Sequence, residues 1–129
     1  MNRNNEKKEA PGAGPHDSTH LWELQADICQ TLANPKRLQI LHLLKGGELS
    51  VGAMVRSLGL PKANLSQHLS LMRQKGILAT RRSGTTIFYR LTTPEITQAC
   101  EIMRGVLREV LNRRESLSRN IQAVEAPEE

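Results

Sequence analysis

Residues 50–76 read SVGAMVRSLGLPKANLSQHLSLMRQKG, and their pattern decides the fold. Ser50 is suited to cap a short helix, with Leu49 and Met54 placed as a hydrophobic staple across its start. Met54, Val55 and Leu58 give that helix one apolar side, and Gly59 ends it. After a two-residue step Pro61 opens a second helix, which runs to about Lys75 and stops at Gly76. Leu65, Leu69 and Met72 follow at i, i+4 and i+7, so they share one face. A short helix, a tight turn and a longer helix make the helix-turn-helix arrangement, whose second helix enters the DNA major groove.

Downstream, the rhythm turns from helical to alternating. Residues 77–82 and 86–91 are β-rich, and Ser83-Gly84 between them reads as the turn of a hairpin, placed as a wing. Thr93-Pro94-Glu95 starts a long last helix with Ile96, Ala99, Cys100, Met103, Val106, Leu107, Val110 and Leu111 in one stripe. Upstream, Ser18 or Thr19 caps a first helix reaching about Leu32, with Leu21, Leu24, Ile28 and Leu32 on one stripe. Asn34-Pro35 separates it from a second helix carrying Leu38, Ile40, Leu41, Leu43 and Leu44, which ends at Gly46-Gly47. Residues 1–17 are polar, hold Pro11, Gly12, Gly14 and Pro15, and are expected to be a disordered arm. Residues 18–118 form the domain, and 119–129 are expected to be a disordered acidic tail. The fold class is mainly α with a small β-hairpin, a winged helix-turn-helix.

At 129 residues the chain has room for one core. Aromatics are nearly absent, with one Trp, one Tyr and one Phe, so that core is aliphatic. No apolar run approaches the ~20 residues that span a bilayer, and Met1–Pro15 has no apolar segment of the export type. The two cysteines, Cys29 and Cys100, form no disulfide framework and fit a reducing cytoplasm. Charge is unevenly placed. From Lys36 to Arg90 there are ten basic residues (Lys36, Arg37, Lys45, Arg56, Lys62, Arg73, Lys75, Arg81, Arg82, Arg90) against one acid, Glu48. The stretch 95–115 is balanced by comparison. Such a segment suits a polyanion, because each cation near a phosphate releases counterions. Phosphate-cradling glycine loops, His-Glu-x-x-His motifs and nucleophile–base pairs are all missing, which argues against an enzyme.

If Leu65, Leu69 and Met72 face inward, the opposite face of the helix carries Ala63, Gln67, Ser70 and Gln74, with Asn64, Ser66 and Arg73 on its flanks and Lys62 at its start. Gln and Asn read adenine edges, and Ser bonds bases or phosphates; plain solvation is the alternative. His68 falls at the buried edge of the stripe and is expected to be packed and hydrogen-bonded. In the hairpin, Arg81 and Arg82 point to opposite faces, so one of the two is expected at DNA. Thr85 and Thr86 at the tip are placed to donate to phosphates, although a role as β-formers in a turn explains them equally well.

Residues 32–41, LANPKRLQIL, resemble the opening motif of the ArsR/SmtB family of winged-helix repressors. Glu48–Gly52, Leu65–Leu69, Gly76–Leu78 and Phe88–Leu91 follow at that family's spacing, so the resemblance extends over roughly residues 24–111. It implies a homodimer built from the first and last helices, two recognition helices on a palindromic operator in double-stranded DNA, and repression relieved by an inducer. The apolar stripe of the last helix separately asks for a partner. Both standard metal sites of the family are altered. Ser50 and Gly52 stand where many members have Cys-x-Cys, and Thr93, Glu95, Val106 and Glu109 fall on the zinc positions of the last helix, so no metal cofactor is expected. Thr85 stands where a basic wing residue often follows the glycine.

Cys29 and Cys100 lie on the two helices expected at the dimer interface, where a thiol pair could tune DNA affinity by redox state or metalloid binding. The competing reading is that both are small apolar fillers. Cysteine-sensing relatives carry a Cys where this chain has His42. A different class of function, a dimeric winged-helix module that binds protein and has no inducer site, is disfavoured by the basic segment. RNA binding is disfavoured by the lack of aromatics for stacking.

Overall fold

A computed structural model describes residues 17–125. The order is α1 (Asp17–Thr31), α2 (Pro35–Leu44), β1 (Leu49–Ser50), α3 (Val51–Leu58), α4 (Lys62–Gln74), β2 (Leu78–Ser83), β3 (Thr86–Leu91) and α5 (Glu95–Glu125). Local chemistry accounts for most boundaries. The Asn34 side chain accepts from the backbone N–H groups of Lys36 and Arg37 at 2.9 and 3.2 Å, with Pro35 as the first helical residue. Ser50 Oγ accepts from Ala53 N–H at 3.1 Å and caps α3. After α4, Gly76 adopts φ 79°; its N–H donates to the Arg73 carbonyl and that of Ile77 to Met72. This closes the helix in a Schellman motif that a residue with a side chain enters only under strain.

The core is made by α2, α3, α4 and the sheet. Ile40, Leu41, Leu44, Met54, Leu65, Leu69 and Met72 are fully buried, with Ile77, Leu78, Tyr89 and Leu91 closing around them. The outer helices add only partly buried apolar residues to it, Ile28 from α1, Leu32 just past its end and Ile96 from α5. Most of their other large apolar residues stay in solvent: Leu21, Trp22 and Leu24 on α1, and Ile102, Met103, Val106, Leu107, Leu111, Leu117 and Ile121 on α5, while Val110 is half-buried.

Five expectations need correction. The hairpin is part of a three-stranded antiparallel sheet of order β1-β3-β2, because Leu49 and Ser50 pair with Tyr89 and Phe88; a two-residue strand is too short to show a period in sequence. Pro61 is the N-cap of α4 rather than its first residue. The turn between β2 and β3 is Gly84-Thr85, with Gly84 at φ 62°. Helix α5 does not end near Ser118: it is helical to Glu125. Leu117 and Ile121 extend its apolar side, and the Arg119–Glu115 and Arg113–Glu109 pairs are spaced i, i+4 along it. Helix α1 begins at Asp17, which puts Ser18 and Thr19 inside it. The expected N-terminal arm otherwise lies outside the described residues, as does the tail beyond Glu125.

Candidate nucleic-acid interface

Helix α4 has two unlike sides. Leu65, Leu69 and Met72 are sealed in the core, while Lys62, Ala63, Asn64, Gln67, Ser70, Arg73 and Gln74 are exposed and Ser66 is half-buried. The outward row Ala63, Gln67, Ser70, Gln74 is therefore real, and its small or amide side chains suit a groove floor. Three anchors keep the inner side in place. Besides the core contacts, Lys75 just past the helix donates to both oxygens of Asp27 on α1, at 3.1 and 3.0 Å. Arg37 of α2 bridges two elements: its Nε donates to His68 Nδ1 at 3.2 Å and its Nη1 to the Thr31 carbonyl at 3.0 Å. His68 is thus packed and hydrogen-bonded as its position in the stripe implies, and it does not belong to the exposed face. Burial first, and the Arg37 charge second, hold its pKa below the usual 6.5. The neutral ring accepts at Nδ1, so its proton sits on Nε2.

The wing separates the two arginines. Arg81 stands opposite Phe88 and Arg82 opposite Ile87, so they leave the sheet on different sides. Arg81 is taken: its Nη2 and Nε donate to the Glu48 carboxylate at 2.6 and 3.2 Å, and its guanidinium lies 4.6 Å above the Phe88 ring. Arg82 makes no ion pair among the described residues and is exposed, as are Gly84 and Thr85 at the tip. The candidate set thus narrows to Arg82 and Thr85 on the wing, with Arg81 as a member held by its own chain. The hairpin base is fixed by Thr92, whose hydroxyl donates to the Gly76 carbonyl at 2.6 Å and whose N–H donates to Ile77. That bond ties the wing to the end of α4.

Sequence reasoning missed the roles of Arg37 and Glu48. Arg37 leaves no local trace, whereas Glu48 was marked as the lone acid of the basic segment. Cys29 is exposed on α1 and Cys100 is half-buried on α5, both as free thiols. Burial first, and then the charge of Cys29, push the Cys100 thiol up, while Arg104 works weakly the other way. Cys100 is therefore not an activated thiolate.

Residues 34–80 match the model of a family described as bacterial regulatory protein, arsR family. An uncharacterised HTH-type transcriptional regulator of Mycobacterium tuberculosis, Rv0081, is 37% identical over 108 residues, covering 83% of this chain and 95% of that protein. The crystal structure of Rv0081 superposes with a TM-score of 0.67 at 39% identity, over 75% of this chain and 98% of that one. The transcriptional activator HlyU of Vibrio cholerae is 40% identical over 76 residues, 59% of this chain and 70% of that protein. A homodimeric winged helix-turn-helix DNA-binding domain from Mycobacterium bovis, solved by NMR, superposes with a TM-score of 0.63 at 31% identity, over 70% of this chain and 83% of the domain.

Proposed function

The chain belongs to the arsR family of bacterial regulatory proteins and is a DNA-binding transcription regulator, and from that premise we propose that it works as a homodimeric repressor on a palindromic operator. One observation carries this reading: the outer row of α4, with Gln67 and Ser70 in it, is exposed directly opposite the buried Leu65, Leu69 and Met72. A helix anchored on one side offers amide and hydroxyl groups to base edges on the other. Lys62, Arg73 and Arg82 supply charge for the flanking phosphates. The partner is a second copy seated on α1 and α5, where Trp22 is 70% and Ile102 71% exposed; apolar residues left open in this number mark an interface. The M. bovis domain is itself a homodimer. Among the described residues no helix is long and apolar enough to cross a membrane, and the regulator's place of work is the chromosome in the cytoplasm.

Relief of repression falls, in this proposal, to Cys29 and Cys100. A change of oxidation state or a soft metalloid across α1 and α5 would alter the spacing of the two recognition helices. A Cys29→Ser/Cys100→Ser variant should then hold DNA in the presence of oxidant or arsenite, where the parent lets go; an identical response from both proteins overturns this assignment.

The main reading is tested by gel retardation and footprinting on DNA upstream of the chain's own gene, with and without reductant. A protected palindrome with half-site centres about 34–36 Å apart, or a multiple of that, is expected, and binding should weaken steeply between about 50 and 200 mM salt. Gln67→Ala should lose about 1–3 kcal/mol on that site while keeping its grip on unrelated duplexes. No retardation of any duplex at low salt, in either oxidation state, would leave the protein-binding module as the better reading.

A further inference from the structure

Glu48 is the one acid among ten cations between Lys36 and Arg90, and the fold gives it a definite task. It stands just before β1, whose Ser50 lies beside Phe88 of β3, which in turn lies beside Arg81 of β2. Glu48 therefore spans the width of the sheet to reach Arg81. The two bonds to Nη2 and Nε, at 2.6 and 3.2 Å, form a two-point grip that a guanidinium makes with a carboxylate. The Phe88 ring 4.6 Å beneath the guanidinium fixes the third direction. The hydrogen bond from Arg81, with the charges of Arg81 and Arg90 behind it, holds the Glu48 carboxyl below its ordinary range, against a smaller opposing effect of burial. Glu48 is thus anionic at neutral pH.

A carboxylate beside the wing works against phosphate binding twice. It repels the backbone, and it occupies a cation that would otherwise release counterions. Phosphate contacts carry no sequence information, whereas base contacts do. We propose that Glu48 is a specificity-determining residue: by holding Arg81 against Phe88 it keeps one wing cation off the phosphates, lowers affinity for any duplex, and leaves site choice to α4. This rests on the DNA-binding reading above. The pair belongs to the wing, so its effect adds to that of Gln67 rather than replacing it.

The test compares the full chain with Glu48→Gln, Arg81→Gln and the double variant, by fluorescence anisotropy on the upstream operator and on a scrambled duplex of equal length. Salt runs from about 50 to 200 mM. Glu48→Gln should bind the scrambled duplex about 3- to 10-fold tighter at low salt, with the slope of log affinity on log salt steeper by about 0.9, the signature of one added phosphate contact. The operator should gain less, so the specificity ratio falls. Arg81→Gln alone should keep the parent slope, and in the double variant the extra slope should vanish. If Glu48→Gln keeps the parent slope, or weakens both duplexes alike with a lowered melting temperature, the pair is only a brace for the wing and the proposal is overturned. Failure of the parent chain to bind either duplex would instead sink the DNA-binding reading itself, and is seen before any variant is made.

Discussion

Gln67 and His68 are neighbours on α4 with opposite fates. Gln67 points into solvent, and His68, turned about 100° round the helix, accepts a hydrogen bond from Arg37. A protonated His68 has no lone pair left at Nδ1 and would face a guanidinium. Because its folded-state pKa lies below 6.5, the unfolded chain binds that proton first as pH falls. Its contribution to stability is thus complete above pH 6.5 and is lost as pH drops through the lowered value. The urea midpoint should fall as the buffer is taken from pH 7.5 toward pH 5, and His68→Gln, which retains an acceptor but cannot titrate there, should flatten that stretch. The carboxyls of Glu48 and Glu101 are held below 4.5, so they enter only at lower pH. An unchanged pH profile in His68→Gln would exclude His68 as its source. The inward turn of His68 was legible from its place beside the Leu65–Leu69 stripe, but its partner, 31 residues away, was not.

Elements in this chain are bounded by short-range chemistry, which is why their order was readable. Asn34 accepts two backbone N–H groups, so Asn34→Ala should cost about 1 kcal/mol by urea denaturation while Asn34→Asp should cost little. Gly76 has open space around it but a φ of 79°. Gly76→Ala should therefore lose roughly 1–2 kcal/mol through backbone strain alone, and equal stability of parent and variant would rule out the left-handed cap. Strand β1 escaped notice because it takes its character from Tyr89 and Phe88 across the sheet rather than from its own two residues. The far end of α5 escaped for another reason: Leu117 and Ile121 are separated by polar residues, and the expected tail began where the dense stripe ended.

Across the whole molecule, apolar surface and positive charge sit in different places. The core is drawn from α2 to β3, the same span that carries the basic excess, while α1 and α5 hold apolar residues that the monomer leaves uncovered. Helix α5, at 31 residues, is about 46 Å long, far more than one such core can cover. Leu107 is 55% exposed in the single chain, so Leu107→Glu should leave helicity and monomer packing nearly intact. In a homodimer the same change buries a charge. Sedimentation should then show monomer where the parent is dimer, with weaker operator binding, since two half-sites need two chains. A parent that sediments as a monomer at micromolar concentration would remove the dimer from the proposal.

The order of elements, the caps of α2 and α3, the buried stripe of α4 and its outward polar row follow from the amino-acid sequence by itself. They depend on residues within about four positions of one another and on the period at which side chains return to one face. Tertiary structure alone decided that Arg81 is bound to Glu48 while Arg82 is left open, that Lys75 is tied to Asp27, and that His68 answers to Arg37. These pairs lie 31 to 48 residues apart. A charged or polar side chain meets such a partner only after the backbone has brought two distant elements together, and no local pattern records the meeting.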